Sequence, residues 1–170
     1  MDKFEVKILN CINHLNFGSS STEVHKTFGT NFKKQTEELS KSSKDFLMEV
    51  SKRMAAMSGR PLEEFTKYDK EDEFDSDSSD YYSSCRIDYD ENDCFECIEI
   101  YSDQGSQLIV NGNDFSNFDL QSLLTLADDF VEEENGTSYI SYTKQIGIWC
   151  PDGDGRVECI LFGKPGYYQN

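Results

Sequence analysis

Cys85-Arg86-Ile87-Asp88-Tyr89-Asp90-Glu91-Asn92-Asp93-Cys94-Phe95-Glu96-Cys97-Ile98-Glu99-Ile100-Tyr101 decides the fold class of this 170-residue chain. Cys85, Ile87 and Tyr89 alternate with Arg86, Asp88 and Asp90, the period of two that a strand shows when one face is turned to a core. Asp90-Glu91-Asn92-Asp93 is turn chemistry, because short polar side chains bond the neighbouring backbone. Residues 94–101 read as a second strand, apolar on parts of both faces, and the two strands make a hairpin.

Working outward toward the C-terminus, Leu108-Ile109-Val110 reads as a short strand closed by Asn111-Gly112, a pair suited to positive φ. Residues 139–150 read as one long strand, with Trp149 in the core among Ile146 and Ile148. Pro151-Asp152-Gly153-Asp154-Gly155 turns, and residues 156–162 return as a last strand with Val157, Cys159 and Leu161 on one face. Between these strands, Leu120, Leu123, Leu124, Ala127, Phe130 and Val131 fall at 0, 3, 4, 7, 10 and 11, the spacing of an amphipathic helix. Ser116 or Asn117 would cap it, and Asp119 suits its positive end. Asp128, Asp129, Glu132, Glu133 and Glu134 would then crowd the negative end of its dipole, a local cost of the kind that marks function.

Upstream, residues 4–17 form an apolar element of undetermined type that Phe17-Gly18-Ser19 breaks. Ser20 and Glu23 have the spacing of a capping box, for a helix that carries Val24 and Phe28 and stops at Gly29. Phe32, Leu39, Phe46, Val50, Met54 and Met57 continue at helical spacing up to Gly59-Arg60-Pro61. Residues 69–80 hold seven acids and read as an acidic linker or loop. The expected fold is α+β, a mainly antiparallel sheet packed against helices. A helical part (1–68), the linker (69–80) and a sheet part (81–170) would form one domain.

The charge is unevenly placed. Residues 1–68 carry eleven Lys/Arg against nine Asp/Glu, residues 69–103 two against fourteen, and residues 104–170 three against ten, so the formal −17 belongs to the C-terminal hundred residues. Such a field repels nucleic acid and anionic lipid and speeds encounter with a basic partner. No stretch of about eighteen apolar residues exists to span a membrane, and residues 1–17 lack the apolar core of a signal peptide, which points to the cytosol. In that compartment the six cysteines read as free, apolar-packed thiols.

Chemistry-bearing patterns are weak. Asp88-x-Asp90-x-Asn92-Asp93-x5-Glu99 places oxygens at four positions of an EF-hand loop, but position six is Asp93 where glycine is needed, and strands flank it where helices are needed. Cys94-x-x-Cys97 lacks a second close pair for zinc. Asp152-Gly153-Asp154-Gly155 is simpler as a hairpin loop. His14 and His25 have no nucleophile motif beside them, and no phosphate-binding glycine loop is present. No cofactor or metal is expected. Tyr167-Tyr168 could anchor an interface or pack on the sheet.

Phe17-Gly18-Ser19-Ser20 followed by Glu23-Val24 and Phe28-Gly29 is one cue to a resemblance, and Ile87-Asp88-Tyr89-Asp90 leading into Ile98-Glu99-Ile100 is another. The helix after Asn111-Gly112 and the closing Gly166-Tyr167-Tyr168 complete the set. Over residues 15–29 and 81–168 the chain resembles small bacterial immunity proteins of polymorphic-toxin and contact-dependent inhibition systems. Residues 32–80 depart from that pattern. The resemblance implies a protein that covers the active site of a toxin, and nuclease toxins have basic clefts.

The sequence therefore leads to a cytosolic, non-enzymatic immunity protein that neutralises a basic toxin domain. Asp90, Glu91 and Asp93 at the hairpin turn and Asp128, Asp129, Glu132 and Glu133 at the helix end are the expected contacts. The alternatives are a small metal-dependent hydrolase using the acidic turns and an acidic nucleic-acid mimic.

Overall fold

The computed structural model describes residues 2–34, 52–53, 79–133 and 136–168. Two sheets enclose the core. The smaller is built from β1 (Lys3–Lys7), β2 (Cys11–Ile12), β3 (Leu15–Asn16), β8 (Gln107–Val110) and β9 (Asn113–Asp114), in the order β3-β2-β1-β8-β9. The larger runs β10 (Val131–Glu133), β11 (Ser138–Ser141), β12 (Ile146–Trp149), β13 (Cys159–Gly163), β7 (Phe95–Tyr101), β6 (Cys85–Tyr89), β5 (Ser79–Tyr81), β4 (Lys33–Lys34). Every pairing in it is antiparallel. Helices among the described residues are short, with α1 at Ser21–Phe28 and α2 at Leu120–Leu123. None of the described helices is long and apolar enough to cross a membrane.

Residues 3–16, an apolar element assigned above to the helical part (1–68), instead hold three strands joined by tight turns. Phe4 and Val6 of β1 are buried while Lys3 and Lys7 are exposed, a half-buried alternation. Asn13 and His14, both at positive φ, make the two-residue turn of the β2–β3 hairpin. The Asn13 amide holds that turn in place, accepting from the Glu5 N–H at 2.7 Å and donating to the Lys3 carbonyl at 3.0 Å. β1 runs parallel to β8, which ties the start of the chain to residues 107–110.

The hairpin β6–β7 forms as its alternation predicts, with a bulge between Asp88 and Tyr89. Asn111 (φ 49°) and Gly112 (φ 85°) close β8 onto β9. The start of α1 is also as expected, since the Glu23 carboxylate accepts from the Ser20 backbone N–H at 3.0 Å. Ser79 and Asp80, placed in the acidic linker by composition, are buried at the start of β5. The helical reading of residues 32–57 lies outside the described residues apart from 32–34 and 52–53; Lys33–Lys34 is a strand and 52–53 are helical.

Two elements differ from their sequence pattern. The helix expected to run from Leu120 through the acids at 128–134 stops after one turn. Asp119 caps α2 by accepting from the Ser122 N–H at 2.8 Å, a 3-10 turn follows at Leu124–Leu126, and Ala127 is extended. Continuing the helix would have stacked acids on its negative end. Leaving it lets Asp129 accept from the Ser141 hydroxyl at 2.6 Å and the Thr143 N–H at 3.0 Å, and lets 131–133 pair with β11. Asp128, Asp129, Glu132 and Glu133 therefore sit on a loop and an edge strand, and no helix end exists there. The long strand expected over 139–150 is likewise folded into the hairpin β11–β12, with Gln145 at φ 55°.

The core lies between the sheets. Ile87, Ile98, Ile100, Ile146, Ile148, Ile160 and Phe162 project from the larger sheet toward Phe4, Val6, Ile12, Leu108 and Val110 of the smaller, together with Val24 and Leu123 of the helices. Alternation then turns the partners of these residues to the other side of the larger sheet, and that outer face carries the features described next.

Candidate functional site

The register brings the 90–93 turn and the Asp128–Asp129 loop to one end of the larger sheet, while β10 carries Glu132 and Glu133 away from that end, Glu133 falling in the row of Trp149 and Tyr101. The 90–93 turn precedes Phe95 of β7, the C-terminal end of β13 lies beside it, and Ile146, Ser141 and Val131 follow at the same end of their strands. Five strand spacings separate β6 from β10, so at about 4.8 Å each the groups stand roughly 24 Å apart. That separation fits within a single protein interface, where each partner covers about 800 Å².

The seven acids divide into two kinds. Asp90 bonds Lys164 Nζ at 3.1 Å and accepts from the Asn92 and Cys94 N–H groups at 3.0 and 3.1 Å. Burial works against its charge, but these donors outweigh it and hold its pKa below the ordinary carboxylate value. Asp93, at φ 59°, accepts from the Ser21 hydroxyl and fixes the turn against α1. The Ser141 hydroxyl and Thr143 N–H lower the pKa of Asp129 in the same way, and Glu133 accepts from the Tyr142 hydroxyl at 3.0 Å. Glu91, Asp128 and Glu132 are exposed. Four carboxylates thus shape the surface and three project from it.

The outer face holds a second feature that the sequence reading did not find. Cross-strand partners line up there as Val131, Ile140, Gly147, Leu161, Glu99 and Arg86. The next row is Glu133, Ser138, Trp149, Cys159 and Tyr101. Residues 164–168 fold back over these rows. A Cβ at position 147 would collide with the Tyr168 hydroxyl, and one at 163 with the Tyr167 ring, so Gly147 and Gly163 are the space in which the two tyrosines lie. Tyr168 also packs edge-on against Tyr142 and Tyr167. The tyrosine pair thus packs on the sheet, one of the two readings left open above.

Between Tyr168 and Trp149 the face sinks into a groove of about 330 Å³, with Ile140, Leu161, Glu99 and Arg86 among its walls. Trp149, expected in the core, is 40% exposed, and with Val131 it is one of the two exposed large apolar side chains among the described residues. Its position follows from the period of two: Ile146 and Ile148 face the core, so Trp149 must face away. Applied to this strand residue by residue, the alternation would have located it.

The floor of the groove is charged. Arg86 meets Asp88 at 3.0 Å and Glu99 at 3.2 Å. Burial opposes the charge on Arg86, and the two carboxylates more than offset that, raising its pKa. The Cys159 thiol donates to Glu99 at 2.8 Å and the Cys97 thiol to Asp88 at 3.2 Å; burial, then the adjacent carboxylate, pushes both thiol pKa values up. Asp88 and Glu99, two of the EF-hand-like oxygens, are therefore committed to a guanidinium. Among the described residues no group of three or more His, Cys, Asp or Glu is arranged to hold a metal ion.

His25 has a structural setting. Its Nε2 lies 2.7 Å from Asp80 Oδ2, which also accepts from the Tyr89 hydroxyl at 2.6 Å, and its ring stacks on Phe32 at 4.6 Å. Asp80 is buried at 2% exposure, so these two contacts replace the water a carboxylate needs and pin α1 to β5 and β6. The contact joins positions 55 apart and left no local trace in the sequence.

Comparison of the chain with family models, curated proteins and solved structures returns no match in any of the three.

Proposed function

We propose that this protein is a cytosolic, non-enzymatic binding protein, an immunity-type inhibitor that docks its acidic surface on a basic toxin domain such as the cleft of a nuclease. The observation that carries the reading is that the 90–93 acids and Asp128 and Asp129 lie at one end of the larger sheet, on a chain of net charge −17. Asp90, Asp93, Asp129 and Glu133 are held by internal donors, so the surface does not have to be organised on binding. Glu91, Asp128 and Glu132 supply the steering field. Rim charges of this kind mainly set the rate of encounter, and apolar or aromatic anchors supply most of the affinity.

The test is capture from lysate of the native cell with the immobilised protein and with its E91K/D128K/E132K variant. The wild type is expected to retain a basic protein domain that the variant loses. Equal yield of the same partner on both would refute acidic docking.

A further inference from the structure

We infer that the free edge of β10 takes an extended, basic segment of the partner as an added antiparallel strand. The inference deepens the docking reading above and rests on it for the partner's charge. Among the described residues the two sheets end in β3, β9, β4 and β10. The first three are two residues long and β10 is three. An antiparallel strand bonds its neighbour through alternate residues, so β10 bonds β11 on one side and turns its remaining N–H and C=O groups outward. Val131 is 49% exposed and Glu132 is exposed, so this edge is open to solvent. An open edge is a template for one more strand.

The side chains select which strand. Asp128, Asp129, Glu132 and Glu133 lie within six residues that hold no base. None of the ion pairs among the described residues involves any of the four. A second copy of this chain, paired antiparallel about the middle of β10, would set Glu132 directly against Glu132 with a Glu133 to either side. Like charges directly opposite are destabilising. A basic strand reverses the sign of each of those contacts. The acids that keep copies of this chain apart are therefore the ones that admit a basic segment.

The register follows from the alternation. Val131 and Glu133 face the outer side of the sheet, and Glu132 faces the opposite side. Cross-strand partners stand about 4.5–5.5 Å apart, within reach of a lysine or arginine opposite each glutamate. An apolar residue opposite Val131 would extend the pair that Val131 makes with Ile140. Every pairing in the larger sheet is antiparallel, so the segment reads basic, basic, apolar in its own direction. Main-chain bonds would hold it and the three side chains would choose it.

The probe is acetyl-Lys-Lys-Val-Thr-Val-Lys-amide, titrated into the full chain and followed by the amide NMR spectrum. Two further peptides keep all its side chains and charges but carry backbone N-methyl groups on alternate residues, one on the odd set and one on the even. The parent peptide is expected to shift the Val131, Glu132 and Glu133 amides saturably. An added strand turns only one set of its N–H groups to β10. One methylated peptide is therefore expected to bind at least about tenfold more weakly than the parent, and the other about as well. The peptide with glutamate for each lysine is expected to give no saturable shift. E132K, an exposed change, is expected to weaken the parent peptide while the spectrum of the rest of the chain is unaltered. No saturable shift at β10, or equal affinity of the two methylated peptides, would overturn the inference. That failure is separable from failure of the docking reading. Loss of partner capture by E91K/D128K/E132K would still stand if the partner docked through side chains alone, and binding that depends on which amides are methylated would still stand if the partner were captured without the acids.

Discussion

Gly163→Ala tests whether residues 164–168 are packed on the sheet through Tyr167. Gly163 lies in β13, and a Cβ there would sit 2.6 to 2.8 Å from Tyr167 Cβ, Cγ and Cδ1. Those atoms are the root of the side chain, so a rotamer change cannot relieve the contact and the segment must move. Overpacking of this kind costs about 1–3 kcal/mol. Lifting the ring away entirely would re-expose on the order of 100 Å², or roughly 2.5 kcal/mol at about 25 cal/mol/Å². The two routes agree, and at about 2–4 °C per kcal/mol for a chain of this size they correspond to a fall in Tm of roughly 2–12 °C. Thermal unfolding of the wild type, G163A, Y167G and the double variant forms the cycle. In the Y167G background the alanine meets no ring and restricts the unfolded chain, so its cost is expected to fall below about 0.5 kcal/mol or change sign. An equal cost in both backgrounds would refute the packing explanation.

Three further outcomes follow from the described geometry. Asp90 has its pKa lowered chiefly by Lys164 and two N–H donors acting against burial, so the stability it contributes is present above the ordinary carboxylate pKa of about 4 and is lost as pH falls through its lower folded value. The gap in urea midpoint between the wild type and K164M is therefore expected to be full at pH 6 and to shrink below about pH 4; a gap independent of pH would contradict it. Of the six free cysteines only Cys94 is partly exposed, and burial raises the Cys85 thiol pKa to about 12, so a thiol reagent at pH 8 is expected to find one fast site in the native protein and six after denaturation. Gly112→Ala forces a side chain into φ 85° at the β8–β9 turn and is expected to cost about 1 kcal/mol by chemical denaturation, whereas no cost would mean that the turn is not fixed by its glycine.

What the sequence disclosed was local. Cys85, Ile87 and Tyr89 show their strand because each faces the same core, and Asn111-Gly112 shows its turn because few other pairs accept positive φ at both positions. Leu120 and Leu123 gave a true helical start, but Val131 shared their spacing by coincidence, and its pairing with Ile140 across β10–β11 overrode it. The β11–β12 turn carries neither glycine nor proline. It is held from afar, by the Gly163 N–H on the Gln145 carbonyl at 2.9 Å and by the Gln145 side chain on the Tyr168 backbone. Of the acidic groups, membership was legible and arrangement was not: nothing local says that Asp90 belongs to Lys164, 74 positions away, or that the 90–93 turn shares one end of a sheet with Asp128 and Asp129 while Glu133 points to the other. The Arg86, Glu99 and Trp149 groove was hidden for the same reason, since it exists only once five strands are in register.

Acidic docking is tested most directly by the association rate with the captured partner, followed by stopped flow from 0.01 to 1 M salt, over which the Debye length contracts from about 30 to about 3 Å. A steered encounter is expected to slow at least tenfold across that range, with E91K/D128K/E132K slower at low salt and nearly insensitive to salt. A wild-type rate that stays flat across the range would contradict docking through the acidic end of the sheet.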